Sequence, residues 1–442
     1  MTASVPATRR HLGPFTLVLF GLAYMAPLIV LGTFGIVAQA SHGATASSYV
    51  LALVALLFTA ASYAKMAALH PVAGSAYAYV SHAMGRRIGF LIGWAVTLDY
   101  LFLPMVTWLI GAAYLHDTFP ILPMPALVLG FIAITTTLNI VGFRLANGIN
   151  VLLMLVQGVV LVLFVKLAIG FLGYQTPAAL MAPLVNPATG ISAIAAGAAV
   201  AAYSFLGFDA VTTLAEETRE PKRTMPRAIW LTALAGGIIF IVASYVAQLV
   251  HPGFAFHDAS AAGNEIAFQI GGQWFGAVFL AGLIVAQVAS GVASQAAGAR
   301  LIYAMARDGV LPRQLLGRLH PRFGTPVGAV ILTGLIGLLA LALTVESSTS
   351  FINFGAFSAF AAVNLSVVAT ALRERRPMTT GTFIGWYFAP LAGAAIDIWL
   401  LTQLEPQAIK LGLIWLAVGI VILAWLTRGF RRAPPALHVE DV

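Results

Sequence analysis

The chain has 442 residues, of which 60% are hydrophobic and only 9% charged, with a mean hydropathy of +0.94; this excludes a soluble globular domain and points to a polytopic membrane protein. Cysteine is absent, which excludes disulfides, thiolate metal sites and cysteine nucleophiles. The formal charge of +8 is spread in short basic groups between apolar stretches, where it orients a membrane chain and calls for no nucleic-acid partner.

In chain order, apolar windows fall at about residues 13–38, 45–69, 85–115, 123–142, 145–171, 190–216, 226–250, 272–304, 325–345, 350–372, 381–403 and 407–429. The expected fold is therefore all-α, with twelve transmembrane helices, since a lipid-embedded backbone must satisfy itself internally. The alternation of a membrane barrel is missing. With twelve spans, all but two of the 23 Lys and Arg fall on one side; Lys166 and Lys410 are the exceptions. That bias predicts cytoplasmic termini and a multi-pass protein of the cell inner membrane. The first 12 residues read as a short cytosolic tail and not as a signal peptide. Longer linkers are expected at about 172–189, 251–271 and 305–324.

The first window carries Gly21 and Pro27 around LAYMA at mid-membrane depth. Pro27 removes a helical hydrogen bond and crowds the preceding turn, so the spacing predicts an unwound stretch or a kink. The sixth window has its own weak point at Gly207, with Asp209 two residues on and Glu216, Glu217 and a basic cluster closing the segment. An acid at membrane depth costs about 2.5–3.5 kcal/mol on insertion scales and so faces a cavity, a partner or an ion path, unless it reaches the aqueous surface. Two interrupted helices in matching places of two halves point to the midplane site of an inverted-repeat transporter. Here the repeats would be residues 13–171 and 190–372, with 381–429 outside them.

Five stretches carry a resemblance: GLAYMAP from Gly21, PVAGSAYAYV from Pro71, GFDAVTTLAEETREPKRTMPRAI from Gly207, RLIYAMARDGVLP from Arg300 and FINFGAFSAF from Phe351. Together they resemble the amino acid, polyamine and organocation transporter superfamily. Within it, GLAYMAP, LDYLFLP from Leu98 and SFLGFDAVTTL from Ser204 are most similar to bacterial putrescine importers. The resemblance implies the five-plus-five inverted repeat of leucine-transporter-type proteins, with discontinuous first and sixth helices and substrate between them. Backbone at Tyr24, Met25 and Ala26 would line that site, and Tyr203 or Phe205 would close over it. Gly207 would open the sixth helix, and Asp209 stands where polyamine and arginine transporters carry an acid.

Physical chemistry supports such roles, because broken helices present uncapped N–H and C=O groups with about half a unit of charge at each end. Tyr100, Phe102 and Trp108 on the third span would stack on an ammonium for about 0.5–2 kcal/mol, or pack as ordinary helix contacts. Two departures bear on the substrate. Putrescine importers similar to this chain tend to carry further acids where it has Gly32 and Val72, which weakens a diamine reading. Pro27, however, has no N–H for a carboxylate, which weakens an amino acid reading.

Candidates for ion coupling are Asp99, as proton carrier or structural partner; Gln157, where proton-coupled relatives often have lysine; and Ser290 and Ser294, as sodium ligands or helix-packing hydroxyls. Asp397 lies outside the repeats and reads as structural or interfacial, and Lys166 as a snorkelling cation. Glu216, Glu217 and Arg219 would pair with Arg300 or Arg307 in a cytoplasmic gate, or form a solvated loop. The nine histidines have no metal-ligand spacing, so no metal is expected. The absence of GxxxxGK excludes direct use of ATP, and no cofactor is expected. The expected activity is secondary import of a small amine or amino acid, putrescine-like amines being favoured, by alternating access coupled to protons or sodium. The alternative is a neutral amino acid importer or exchanger. A channel would need a pore ring, and an enzyme a clustered nucleophile or metal set; neither pattern occurs. The predicted surroundings are lipid, and the sequence leaves the oligomeric state open.

Overall fold

The computed structural model describes residues 12–71, 75–142, 147–185, 189–307 and 311–432. In chain order the helices are α1 (Pro14–Met25), α2 (Ile29–Gly32), α3 (Phe34–Ala40), α4 (Thr45–Leu69), α5 (Ser75–Met84), α6 (Arg86–Thr118), α7 (Met124–Val141) and α8 (Asn147–Phe171). Then come α9 (Pro177–Met181), α10 (Ile191–Ala201), α11 (Pro221–Val250), α12 (Ala262–Arg307), α13 (Arg313–Leu316), α14 (Val327–Ile336), α15 (Val345–Arg373), α16 (Thr380–Thr382), α17 (Ala389–Thr402) and α18 (Pro406–Leu426). Among the described residues no strand forms, and the one backbone bridge joins Leu12 to Thr218.

Among the described residues eleven helical stretches are long and apolar enough to cross a membrane, which makes the chain a polytopic α-helical membrane protein. The expected twelfth, Val327–Ala342, is shorter and tightens to a 3₁₀ turn over Gly337–Ala342. The linker expected at 251–271 is corrected in part. Helix begins at Ala262 and continues to Arg307, broken where Gly272 takes φ +60°. His251, His257 and Asp258 misled the reading because they are polar turn residues set just before an apolar helix.

Burial sorts the helices into centre and rim. In the apolar windows of Ile191–Ala215 and Val345–Arg373 72% of the residues are buried, whereas in that of Pro406–Leu426 only 17% are, and that helix faces the surroundings. Without a hydrophobic drive between helices in lipid, close approach through small residues holds them together. A Cβ on Gly237 would fall 2.4 Å from Leu53, so α11 lies directly on α4. Gly298 and Gly355 bring α12 and α15 against the backbone carbonyls of Tyr100 and Ala95 on α6. On the rim, Trp94 of α6 and Trp415 of α18 stack with centroids 4.7 Å apart, and each indole N–H donates to the other's carbonyl, at 2.8 and 3.0 Å.

Candidate functional site

The first break is made by chain chemistry. Ala26 ends α1 in a left-handed conformation, φ +49° and ψ +84°, and Pro27 has no N–H to continue the helix. The Ile29 N–H, which an unbroken helix would give to Met25 O, donates instead to Ala26 O at 2.8 Å. That releases the Met25 carbonyl. The second half is held from the third span: Tyr114 Oη donates to Leu31 O at 2.6 Å and accepts from Gly263 N–H at 3.2 Å.

The sixth span is interrupted in turn. Helix α10 passes into a 3₁₀ turn over Ala202–Phe205, then Leu206 extends and Gly207 takes φ +120° before a second 3₁₀ stretch, Ala210–Glu217. Two aromatic anchors flank the unwound residues. Phe205 sits edge-on to Phe240 at 5.1 Å and beside Tyr49, while Phe208 meets Tyr63 at 5.6 Å and Phe360 at 5.3 Å. Each such pair contributes about 0.5–1.5 kcal/mol beyond its area, enough together to offset the roughly 1–3 kcal/mol of a strained backbone residue. From α15, Asn353 donates to Ala199 O at 2.7 Å, fixing the end of α10.

The two breaks touch. A Cβ on Gly207 would stand 2.4 Å from Tyr24 Cδ1, so only glycine lets the sixth span lie against that ring. Asp209 is half-buried. Its carboxylate accepts from Ser75 Oγ at 3.4 Å and faces the backbone N–H groups of Gly207, Asp209 and Ala210. Ser75 was not singled out in the sequence, although it ends the PVAGS run; Val72 lies outside the described residues.

Asp99 belongs to the same locality. Its charge interacts with that of Asp209, and the hydroxyls of Tyr24 and Tyr100 lie in the field of both acids, that of Tyr203 in the field of Asp99. Asp99 Oδ1 is buried without a hydrogen-bond partner. Pro104, inside α6, takes away the N–H that Tyr100 O would otherwise accept, which loosens the helix one turn from the acid. Tyr203 is buried, 5% exposed.

Other expected lining residues do different work. Phe205 is fully buried in the Tyr49–Phe240 cluster, and the Met25 thioether packs on Gly236 of α11, leaving only its backbone for the site. Phe102 packs edge-on against Phe351 and Trp415. Trp108 is fully buried, its ring tight against Gly291 and Gly337. It lies nine residues, or about 13.5 Å of helix, beyond Asp99.

Of the candidates for ion coupling, Ser294 Oγ donates to Ser290 O at 2.6 Å on its own helix. Gln157 is buried with Oε1 unpaired. Asp397 proves structural: its Oδ2 accepts from Thr59 Oγ1 and Asn364 Nδ2, both at 2.9 Å, tying α4, α15 and α17 together. The expected gate of ion pairs is not formed among the described residues. Arg219 and Arg300 are exposed and neither pairs with Glu217, while the side chains of Glu216 and Arg307 lie outside the described set. Backbone hydrogen bonds join the chain here, Leu12 N–H donating to Glu217 O at 3.1 Å and Arg219 N–H to Leu12 O at 3.0 Å. Among the described residues no group of acids and histidines could hold a metal ion.

Comparison with known proteins matches this arrangement to transporters. The low-affinity putrescine importer PlaP of Escherichia coli (strain K12) is 37% identical over 98% of this chain and 97% of its own length. The branched-chain amino acid permease BcaP of Bacillus subtilis (strain 168) is 26% identical over 95% of this chain and 94% of its own. Cationic amino acid transporter 4 of Homo sapiens is 29% identical over 84% of this chain and 61% of its own. These are permeases and importers, and the chain is likewise a membrane transporter and not an enzyme. Residues 17–383 match the amino acid permease family, and with broken helices meeting at Tyr24 and Gly207 inside an all-helical membrane protein, the chain belongs to it.

Proposed function

We propose that this permease imports a small amine, with putrescine-like amines favoured, through a site between the breaks at residues 26–28 and 206–209. Transport follows alternating access and is driven by protons, with the substrate ammonium held by Asp209 and the released Met25 carbonyl. The observation that carries the reading is a half-buried carboxylate, Asp209, beside the contact of two unwound helices. Identity to a putrescine importer along nearly the full chain supports the substrate class. Matching breaks about 180 residues apart support a five-plus-five inverted repeat in a twelve-span fold. The excess of Lys and Arg on one side supports cytoplasmic termini in a cell inner membrane.

The test is uptake of labelled putrescine by cells lacking their own importers. Wild type should accumulate it saturably, and Asp209→Asn should lower uptake at least tenfold at equal expression, about the worth of one charge-assisted contact. Undiminished uptake by the variant would remove Asp209 from the site. Accumulation of leucine or valine in place of putrescine would assign the chain to neutral amino acids.

A further inference from the structure

A diammonium substrate needs an anionic partner at each end, and the positions after the first break and in the PVAGS run supply Gly32 and Val72 in place of acids. The third span supplies what those positions lack. Asp99 lies on α6, against which α5 packs with Ser75, the hydrogen-bond partner of Asp209; one Asp99 oxygen is buried and without a donor, and a buried carboxylate oxygen left unpaired is costly. No Lys or Arg pairs with Asp99 or Asp209 among the described residues, so two acids share one locality with no described protein cation paired to either. Tyr24 and Tyr100 lie near both acids, and Tyr203 near Asp99. Aromatic rings favour a cation over an anion, since their faces carry negative charge.

Resting on the amine-import reading, we infer that Asp99 and Asp209 are the two poles of a single site for a linear α,ω-diammonium ion, and that Asp99 determines this specificity. The first ammonium goes to Asp209 at the sixth-span break, and the second reaches Asp99 on the third span, its donors filling the unpaired Oδ1. The methylenes between lie along the tyrosine rings. The same arrangement refuses amino acids, because an α-carboxylate at either pole meets a like charge. Selectivity here is repulsive as well as attractive.

Binding to purified full-length protein, followed by calorimetry, separates this inference from the reading it rests on. The ligands are 1,4-diaminobutane, n-butylamine and ornithine, which differ by one ammonium or one carboxylate. Wild type should bind the diamine at least tenfold more tightly than butylamine, about the worth of one charged hydrogen bond, and should refuse ornithine. Asp99→Asn should abolish that preference by weakening the diamine while leaving butylamine within about twofold. Asp99→Glu keeps the charge on an arm one methylene longer and should shift the best ligand from 1,4-diaminobutane to 1,3-diaminopropane, which covers the case in which the asparagine variant fails to fold. Equal losses of diamine and monoamine affinity in Asp99→Asn, or a glutamate variant with an unshifted chain-length optimum, would overturn the second pole while leaving amine import standing. Failure of wild type to bind any of the amines would overturn the import reading itself.

Discussion

Substituting Ala for Gly207 asks whether the unwound turn of the sixth helix must lie where it does. At φ +120° the backbone is in a region that costs an L-residue about 1–2 kcal/mol. The added methyl would also stand 2.4 Å from Tyr24 Cδ1, and relieving such an overlap in a packed interior costs about 1–3 kcal/mol. Together these give about 2–5 kcal/mol, equivalent to a loss of roughly 30- to 4,000-fold in the population of the site-competent arrangement. Uptake of labelled putrescine at matched expression measures the effect, with melting temperature in detergent as a second readout. Gly130→Ala is the control, because nothing lies within 4 Å of its missing Cβ on α7 and alanine is the better helix former by about 1 kcal/mol. That variant should transport normally and melt no lower than wild type. Full uptake together with an unaltered melting temperature in Gly207→Ala would refute the packing of the two breaks on which the site depends.

Two further outcomes concern stability. Asp397→Ala removes the acceptor of two buried donors, Thr59 Oγ1 and Asn364 Nδ2, and should lower stability by about 2–5 kcal/mol in denaturant melts while the surviving protein keeps its amine KM; an unchanged melt would show the triad to be dispensable. His70 follows α4 and stacks on His82 with centroids 4.6 Å apart. Its pKa is held below the ordinary value, first by burial and then by His82, against a smaller opposing pull from Glu374. The unfolded chain therefore takes up a proton before the folded one does, so this contribution is complete above pH 6.5 and is lost as the pH falls below it. His70→Gln should flatten the decline in melting temperature between pH 7.5 and pH 5, and identical slopes would dismiss the pair as a source of it.

Much of the framework could be read from residue chemistry that acts locally. Pro27 removes a helical hydrogen bond wherever it stands and Gly207 marks a weak point, so both places were visible in one dimension, and the apolar windows follow from composition and length. What escaped depended on the crossing of distant segments. Asp99 looked equally like a proton carrier and a structural group, because its neighbour Asp209 is 110 positions away and only the packing of α6 beside the breaks joins their fields. Trp108 looked like a stacking platform, yet Gly291 and Gly337 leave just enough room to enclose it as packing. Of Tyr203 and Phe205, separated by two positions, only the aromatic company of Tyr49 and Phe240 decides which belongs to the core. The start of α12 was hidden by the polar turn before it, and the opening at Gly272 by the ordinary look of a glycine pair.

The short backbone ladder between Leu12 and residues 217–219 has a mechanical consequence. It staples the strand of chain entering α1 to the far end of the sixth span, one turn before α11. Under the proposed alternating access, any relative swing of these two segments must therefore either carry Pro14–Met25 and Ala210–Glu217 together as one lever, or unzip two peptide hydrogen bonds on every cycle. Trimming the chain before Leu12 leaves that clasp intact, whereas removing Leu12 itself sets the two half-helices free to move apart.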